Sequence, residues 1–256
     1  MNSGGAASKN SSVDTKRPQR IALVDLLRGL ALAAMAVYHF AWDLGFFAIA
    51  DLKVTEHPLW IAFARATAGG FLALAGASLV LGHGDVIRPR SFLRRLAMIV
   101  AAAGAITLMS WYADPDSTIW FGILHCIAVS SVLGLAFLHV PVPLVIAAAL
   151  ACLAAPAFLT SPAFNAPIWL WLGLASEPLP SDDYNPLLPW FGMVLLGIAA
   201  ARLAPRIAAK ETWPRWQPRD AITRALCLAG RYSLIVYLVH QPLLLGLFWL
   251  TSQTLA

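Results

Sequence analysis

The sequence predicts an all-α, polytopic membrane bundle of about seven transmembrane helices. Three observations carry this. Hydrophobic types make up 59% of 256 residues, against roughly 45–50% in an ordinary globular chain. Only 31 residues are Lys, Arg, Asp or Glu, too few to cover a soluble domain of this size. From 117 to 176 there are 60 consecutive residues with no charge, long enough for two spans of about 20 residues. Three scattered cysteines, Cys126, Cys152 and Cys227, form no disulfide or zinc pattern.

Apolar stretches of about 20 residues bounded by charge, Pro or Gly place helices near 21–42, 58–82, 94–112, 119–139, 142–160, 186–203 and 230–250. Sorting basic residues by loop puts Lys9, Lys16, Arg17 and Arg20 in the N-terminal tail. Arg88, Arg90, Arg94 and Arg95 fall between helices 2 and 3, and Arg202, Arg206, Lys210, Arg215, Arg219 and Arg224 between helices 6 and 7. On the other face only Lys53 is basic, so the loop count is 14 to 1. The positive-inside rule then predicts a cytoplasmic N-terminus and an outward C-terminus. An eighth span at 166–175 is too short and would reverse that asymmetry, so it reads as a re-entrant or interfacial segment.

Eight of ten tryptophans (Trp42, Trp60, Trp111, Trp120, Trp169, Trp171, Trp190 and Trp249) then fall near the outer interface, as in an aromatic belt. The net charge of +5 is thus explained by topology, and no nucleic-acid partner is expected. Residues 1–19 read as a solvated, disordered cytoplasmic tail, and 20–252 as one transmembrane domain.

Ionisable groups inside spans cost about 2.5–3.5 kcal/mol on insertion scales, so each one is informative. His39 and Asp43 are spaced i, i+4 on helix 1, where a carboxylate can orient an imidazole base; an interfacial histidine beside a solvated aspartate is the alternative. His125 and His240 lie deeper, at similar depth, which suggests either a shared polar cavity or separate hydrogen bonds to neighbouring carbonyls. His57 stands at the water boundary before Pro58. Arg65, about two turns into helix 2, needs a carboxylate or substrate anion, or else snorkels. Asp183 and Tyr184 precede helix 6 as candidate substrate-binding groups or as a solvated helix start. At the cytoplasmic end, Arg28 pairs in spacing with Asp25, and Arg231 opens helix 7; together they suggest a landing site for a phosphorylated donor.

Several motifs occur in order: RIALVDLLRGLAL (20–32), YHF (38–40) with Asp43, GASL (76–79), GILH (122–125), DYNPLLPWFG (183–192), GRYSL (230–234) and YLVHQP (237–242). Together they resemble bacterial membrane proteins grouped with the catalytic domain of heparan-alpha-glucosaminide N-acetyltransferase. The resemblance implies an inner-membrane acyltransferase that takes acetyl-CoA or another acyl-CoA from the cytoplasm. The acceptor would be a sugar or cell-envelope glycan on the far side, and no metal is expected.

In the lysosomal enzyme the active-site histidine precedes helix 2, and His57-Pro58-Leu59-Trp60 matches that position. In broader acyltransferase families the important histidine ends helix 1, where His39 stands. Acyl transfer needs a base for the acceptor proton, here expected to be His39 held by Asp43, with His57 gating or sharing the role. It also needs hydrogen-bond donors to the oxyanion, for which His125, His240 or Arg65 are candidates. Besides the lipid bilayer, self-association is left open as a partner interaction. Two competing classes are a zinc-dependent transmembrane hydrolase built on His39, Asp43, His125 and His240, and a transporter or flippase using the same cavity.

Overall fold

Each helix starts where the local chemistry permits one. In the computed structural model, which describes residues 21–178, 180–207 and 216–255, Pro58 and Pro89 sit in the first turns of α2 (Pro58–His83) and α3 (Pro89–Ala113). There the missing N–H of proline costs nothing. Before α2 comes α1 (Ala22–Phe46); after α3 come α4 (Ile123–Leu135), α5 (Val142–Leu159) and α6 (Leu187–Ile207), then α7 (Ala221–Arg231) and α8 (Ser233–Leu255). Asp220 caps α7 by accepting from the Thr223 N–H at 2.8 Å. The described residues form no sheet; Ser161 and Ala175 make an isolated bridge.

Among the described residues, six helices are long and apolar enough to cross a membrane: α1, α2, α3, α5, α6 and α8. The sequence reading of about seven spans differs at the fourth. With 13 residues, α4 is about 20 Å long, short of the roughly 30 Å of a hydrocarbon core. Its start is capped by Asp183, which accepts from the Ile123 N–H at 3.0 Å. Its end runs into turns leading to Pro141. Arg202, late in α6, donates to the Val140 carbonyl, so the segment 123–140 still runs the length of α6 from Asp183 to Arg202.

The helix expected at 230–250 also differs, because the chain breaks at Tyr232 between α7 and α8. The 166–175 segment is a 3-10 turn, Pro167–Leu172, ended by Gly173 at φ +86°. Any Cβ there would strike the Leu188 carbonyl, so the segment sits tightly on the start of α6 and spans nothing. Residues 1–20 and Lys210 and Arg215, which carried part of the topology expectation, lie outside the described residues.

The core sits where α6 packs along α2 and α5: Leu72, Val145, Ala149, Val194, Leu195 and Ile198 are fully buried or nearly so. Gly76 faces the Val194 carbonyl and Gly197 faces the Ala73 carbonyl, a reciprocal small-residue contact that brings two backbones together without any hydrophobic drive from water. A second such contact joins α7 to α1, with Gly29 against the Leu226 carbonyl and Gly230 against the Asp25 carbonyl. By contrast, only 6% of the apolar window of α8 is buried, so its other faces, including Ile235, Leu243 and Leu247, suit lipid.

The bundle has an acidic end, with Asp51, Glu56, Asp114, Asp116, Asp182 and Asp183, and a basic end, with Arg88, Arg90, Arg94, Arg95 and Arg202. Ten residues separate Gly29 from His39 and ten separate Gly230 from His240. Because Gly29 and Gly230 touch, α1 and α8 reach the same height with these two histidines. Replacing Gly230 by Val forces a side chain into the Asp25 carbonyl and is expected to cost about 1–3 kcal/mol. A lowered thermal transition of the detergent-solubilised protein, followed by size-exclusion chromatography, checks this; an unchanged transition contradicts the contact.

Candidate functional site

The polar groups that a membrane bundle should not bury converge between α1 and α8. Asp43 is fully buried, and its Oδ1 accepts from Gln241 Nε2 at 2.9 Å. The His39 and His240 rings face each other with centroids 5.1 Å apart. Nδ1 of His240 lies 2.6 Å from the Tyr237 carbonyl oxygen. Three buried polar atoms here have no partner: Asp43 Oδ2, His240 Nε2 and Gln241 Oε1. An unpaired buried polar atom costs about 1–3 kcal/mol, so three in one place set this cluster apart from a packed core and make it the candidate site.

The structure brings together His39, Asp43 and His240 from the sequence expectations. It adds Gln241, whose position next to His240 gave no hint of reaching across to α1. It changes one pairing: the carboxylate of Asp43 bonds to Gln241, not to the imidazole one turn before it. His39 instead contacts the rings of Tyr38 and His240.

His57 is exposed and caps α2, its Nδ1 accepting from the Leu59 N–H at 3.3 Å. It stands at the same end of the bundle, since Trp60, one turn on, packs edge-on against Tyr38.

The other expected residues have their bonds elsewhere. His125 Nδ1 accepts from the Gly122 N–H at 3.2 Å, so in the neutral ring Nε2 carries the proton. That proton points to Thr107 Oγ1 at 3.3 Å, and Thr107 donates in turn to the Ile119 carbonyl at 2.7 Å. Both nitrogens are therefore committed to holding the start of α4. Asp183 does similar work: besides Ile123 it accepts from Asn185. Tyr184 donates to the Leu170 carbonyl at 2.7 Å and ties down the 3-10 segment. Arg65 is exposed on α2, and among the described residues it has no carboxylate partner.

A three-histidine metal site would need His125 beside His39 and His240. Among the described residues no three His, Cys, Asp or Glu side chains are grouped to hold a metal.

At the basic end, Arg28 bonds to Asp25 Oδ1 at 3.1 Å and to Ser78 Oγ on α2. Arg95 on α3 lies close enough to feel its charge. Arg231 is exposed, its guanidinium 5.6 Å from the Tyr232 ring centre.

An apolar helical bundle that gathers a buried carboxylate, a half-buried amide and two half-buried imidazoles between two of its helices defines an integral membrane protein with an internal polar cluster. The sequence model of the family described as "Heparan-alpha-glucosaminide N-acetyltransferase, catalytic" matches residues 20–242, and the chain belongs to that family. Membership implies a membrane acetyltransferase type of function. Comparison with curated proteins finds no match, and comparison with solved structures finds none.

Two expectations follow. His125→Ala leaves the Gly122 N–H without a partner and takes from Thr107 the second of its two bonds, the first being to the Ile119 carbonyl, so stability should fall by about 1–3 kcal/mol. Turnover per folded molecule should stay within a few-fold of wild type; thermal melts and specific activity on the monodisperse fraction check both.

The second expectation concerns pH. Burial raises the Asp183 carboxyl above its ordinary value, against the pull of the Ile123 and Asn185 hydrogen bonds, and Asp182 adds to the rise. Asp182 is itself raised by burial and by Asp114. A raised folded pKa gives stability that is full below the unfolded value, about 3.9, and lost as pH climbs through the folded one. Asp182→Asn should therefore flatten the decline in melting temperature above about pH 4, read from melts across a pH series.

Proposed function

We propose that this protein is an integral membrane acyltransferase. It moves an acetyl or other acyl group from an acyl-CoA to a hydroxyl or amine of a sugar or cell-envelope glycan. The observation that carries the reading is the set of unpartnered polar atoms of Asp43, His240 and Gln241 beside His39. Acyl transfer asks for a base to take the acceptor proton and for a donor to the thioester oxyanion, and two facing imidazoles can supply one of each.

The donor enters from the basic end, taken as cytoplasmic, where Arg28 and Arg231 meet its phosphates. Arg28 and His39 are eleven residues apart on α1, about 16 Å, a distance an extended pantetheine arm covers. The acceptor enters from the acidic end, where His57 lies exposed at the mouth and gates its entry.

Transfer is direct. Of the candidate nucleophiles, Cys126 is buried, with its thiol against Ser130 and the Pro186 carbonyl and no imidazole to activate it.

Purified protein in nanodiscs, given radiolabelled acetyl-CoA and an envelope-glycan extract, should transfer label. His39→Ala should reduce the rate by about 10²–10⁴-fold, the usual worth of an imidazole in acid–base catalysis. Full activity in that variant would overturn the role of His39. Uptake of the glycan without any acyl-CoA requirement would instead favour a transporter.

A further inference from the structure

The histidines of the described chain are not all held by the same nitrogen. His57, His83 and His125 each accept a backbone N–H at Nδ1, from Leu59, Arg88 and Gly122. In the neutral ring this places their proton on Nε2. His240 is the reverse. Its Nδ1 meets the Tyr237 carbonyl at 2.6 Å, and a carbonyl only accepts, so Nδ1 carries the proton and Nε2 keeps the lone pair. That lone pair is buried and unpartnered.

The neighbouring unfilled atoms have the same polarity. Gln241 turns its NH₂ to Asp43 Oδ1, which leaves its own Oε1 unfilled, and Asp43 Oδ2 is a carboxylate oxygen. Three acceptors thus face inward with no donor among them. A thioester oxyanion, which can only accept, gains nothing from these three atoms. A hydroxyl or amine brings the missing hydrogens, so the chemistry of this cluster fits the attacking nucleophile.

Resting on the acyltransferase reading, we propose that His240 is the catalytic base and that Asp43 and Gln241 orient the nucleophile through its remaining hydrogens. The nucleophile's oxygen or nitrogen attacks the thioester carbonyl carbon while its proton passes to His240 Nε2. The tetrahedral oxyanion collapses, the C–S bond breaks with its electron pair on sulfur, and the thiolate takes the proton back from Nε2. The products are the acylated acceptor and the free thiol, and the ring is returned to its starting tautomer. His39, facing His240 and making no hydrogen bond of its own among the described residues, is left to donate to the oxyanion.

The test uses the full chain in nanodiscs with acetyl-CoA and two acceptors. Glucosamine needs a base, whereas hydroxylamine is nucleophilic enough to need little help. His240→Asn keeps an N–H for the Tyr237 carbonyl and removes the Nε2 base. With glucosamine its kcat should fall by about 10²–10⁴-fold, with the KM for acetyl-CoA unchanged. With hydroxylamine it should recover most of the wild-type rate, whereas His39→Asn should remain slow with both acceptors.

A His240→Asn enzyme within tenfold of wild type on glucosamine, or one that hydroxylamine fails to rescue, overturns the proposal and leaves the acyltransferase reading in place. A wild-type protein that acetylates neither acceptor removes both. Independently of turnover, ¹⁵N NMR of histidine-labelled wild-type protein, with His240→Gln as the assignment control, should show an unprotonated Nε2 at His240 near neutral pH. An Nε2–H signal there overturns the assignment.

Discussion

The hydrogen bond from Gln241 to Asp43 is the interaction on which the site depends. It crosses from α8 to α1, and α8 touches little of the rest of the bundle: only 6% of its apolar window is buried. In a bilayer, apolar contact between helices gains nothing over contact with lipid tails. A helix so lightly packed is therefore held by its polar and backbone contacts. The amide–carboxylate bond is one of them; the contact of the Phe248 ring with Phe40, tilted at 5.3 Å, and with Phe47, stacked at 5.4 Å, is another. Both act at the acidic end, on the side of the facing imidazoles.

The glycine contact between α1 and α7 sets the other coordinate, height along the axis. A carbonyl that occupies the place of a missing Cβ permits very little sliding, because a shift of one residue would bring a side chain to the same spot. From that fixed point both chains advance by ten residues to His39 and His240. Pro242 inside α8 removes a backbone donor one turn above Leu238, so the helix ladder is already interrupted where the polar groups gather. The geometry of this polar cluster is thus inherited from backbone approach more than from side-chain packing.

What could be read from the sequence follows from what sequence patterns encode. Charge-free length and the clustering of arginines are one-dimensional properties, so the helical membrane class was legible from them, and the family was legible from ordered motifs. The i, i+4 spacing of His39 and Asp43 correctly placed two members of the cluster on one face. It could not show that the carboxylate would turn to Gln241, because that bond spans 198 positions in the chain. Apolarity alone also overstated α4: hydropathy continues to 139, but the caps at Gly122 and the turns before Pro141 are matters of hydrogen bonding that composition does not record. His125 shows the same limit, since a histidine satisfied by Gly122 and Thr107 looks in sequence like one with a free nitrogen.

The short fourth helix has a mechanical consequence. A helix of 13 residues is shorter than a hydrocarbon slab of about 30 Å, so the turns up to Val140 complete the crossing, and their backbone groups need partners within the protein. Arg202, donating to the Val140 carbonyl, is one such partner, so this arginine closes the non-helical end of the segment.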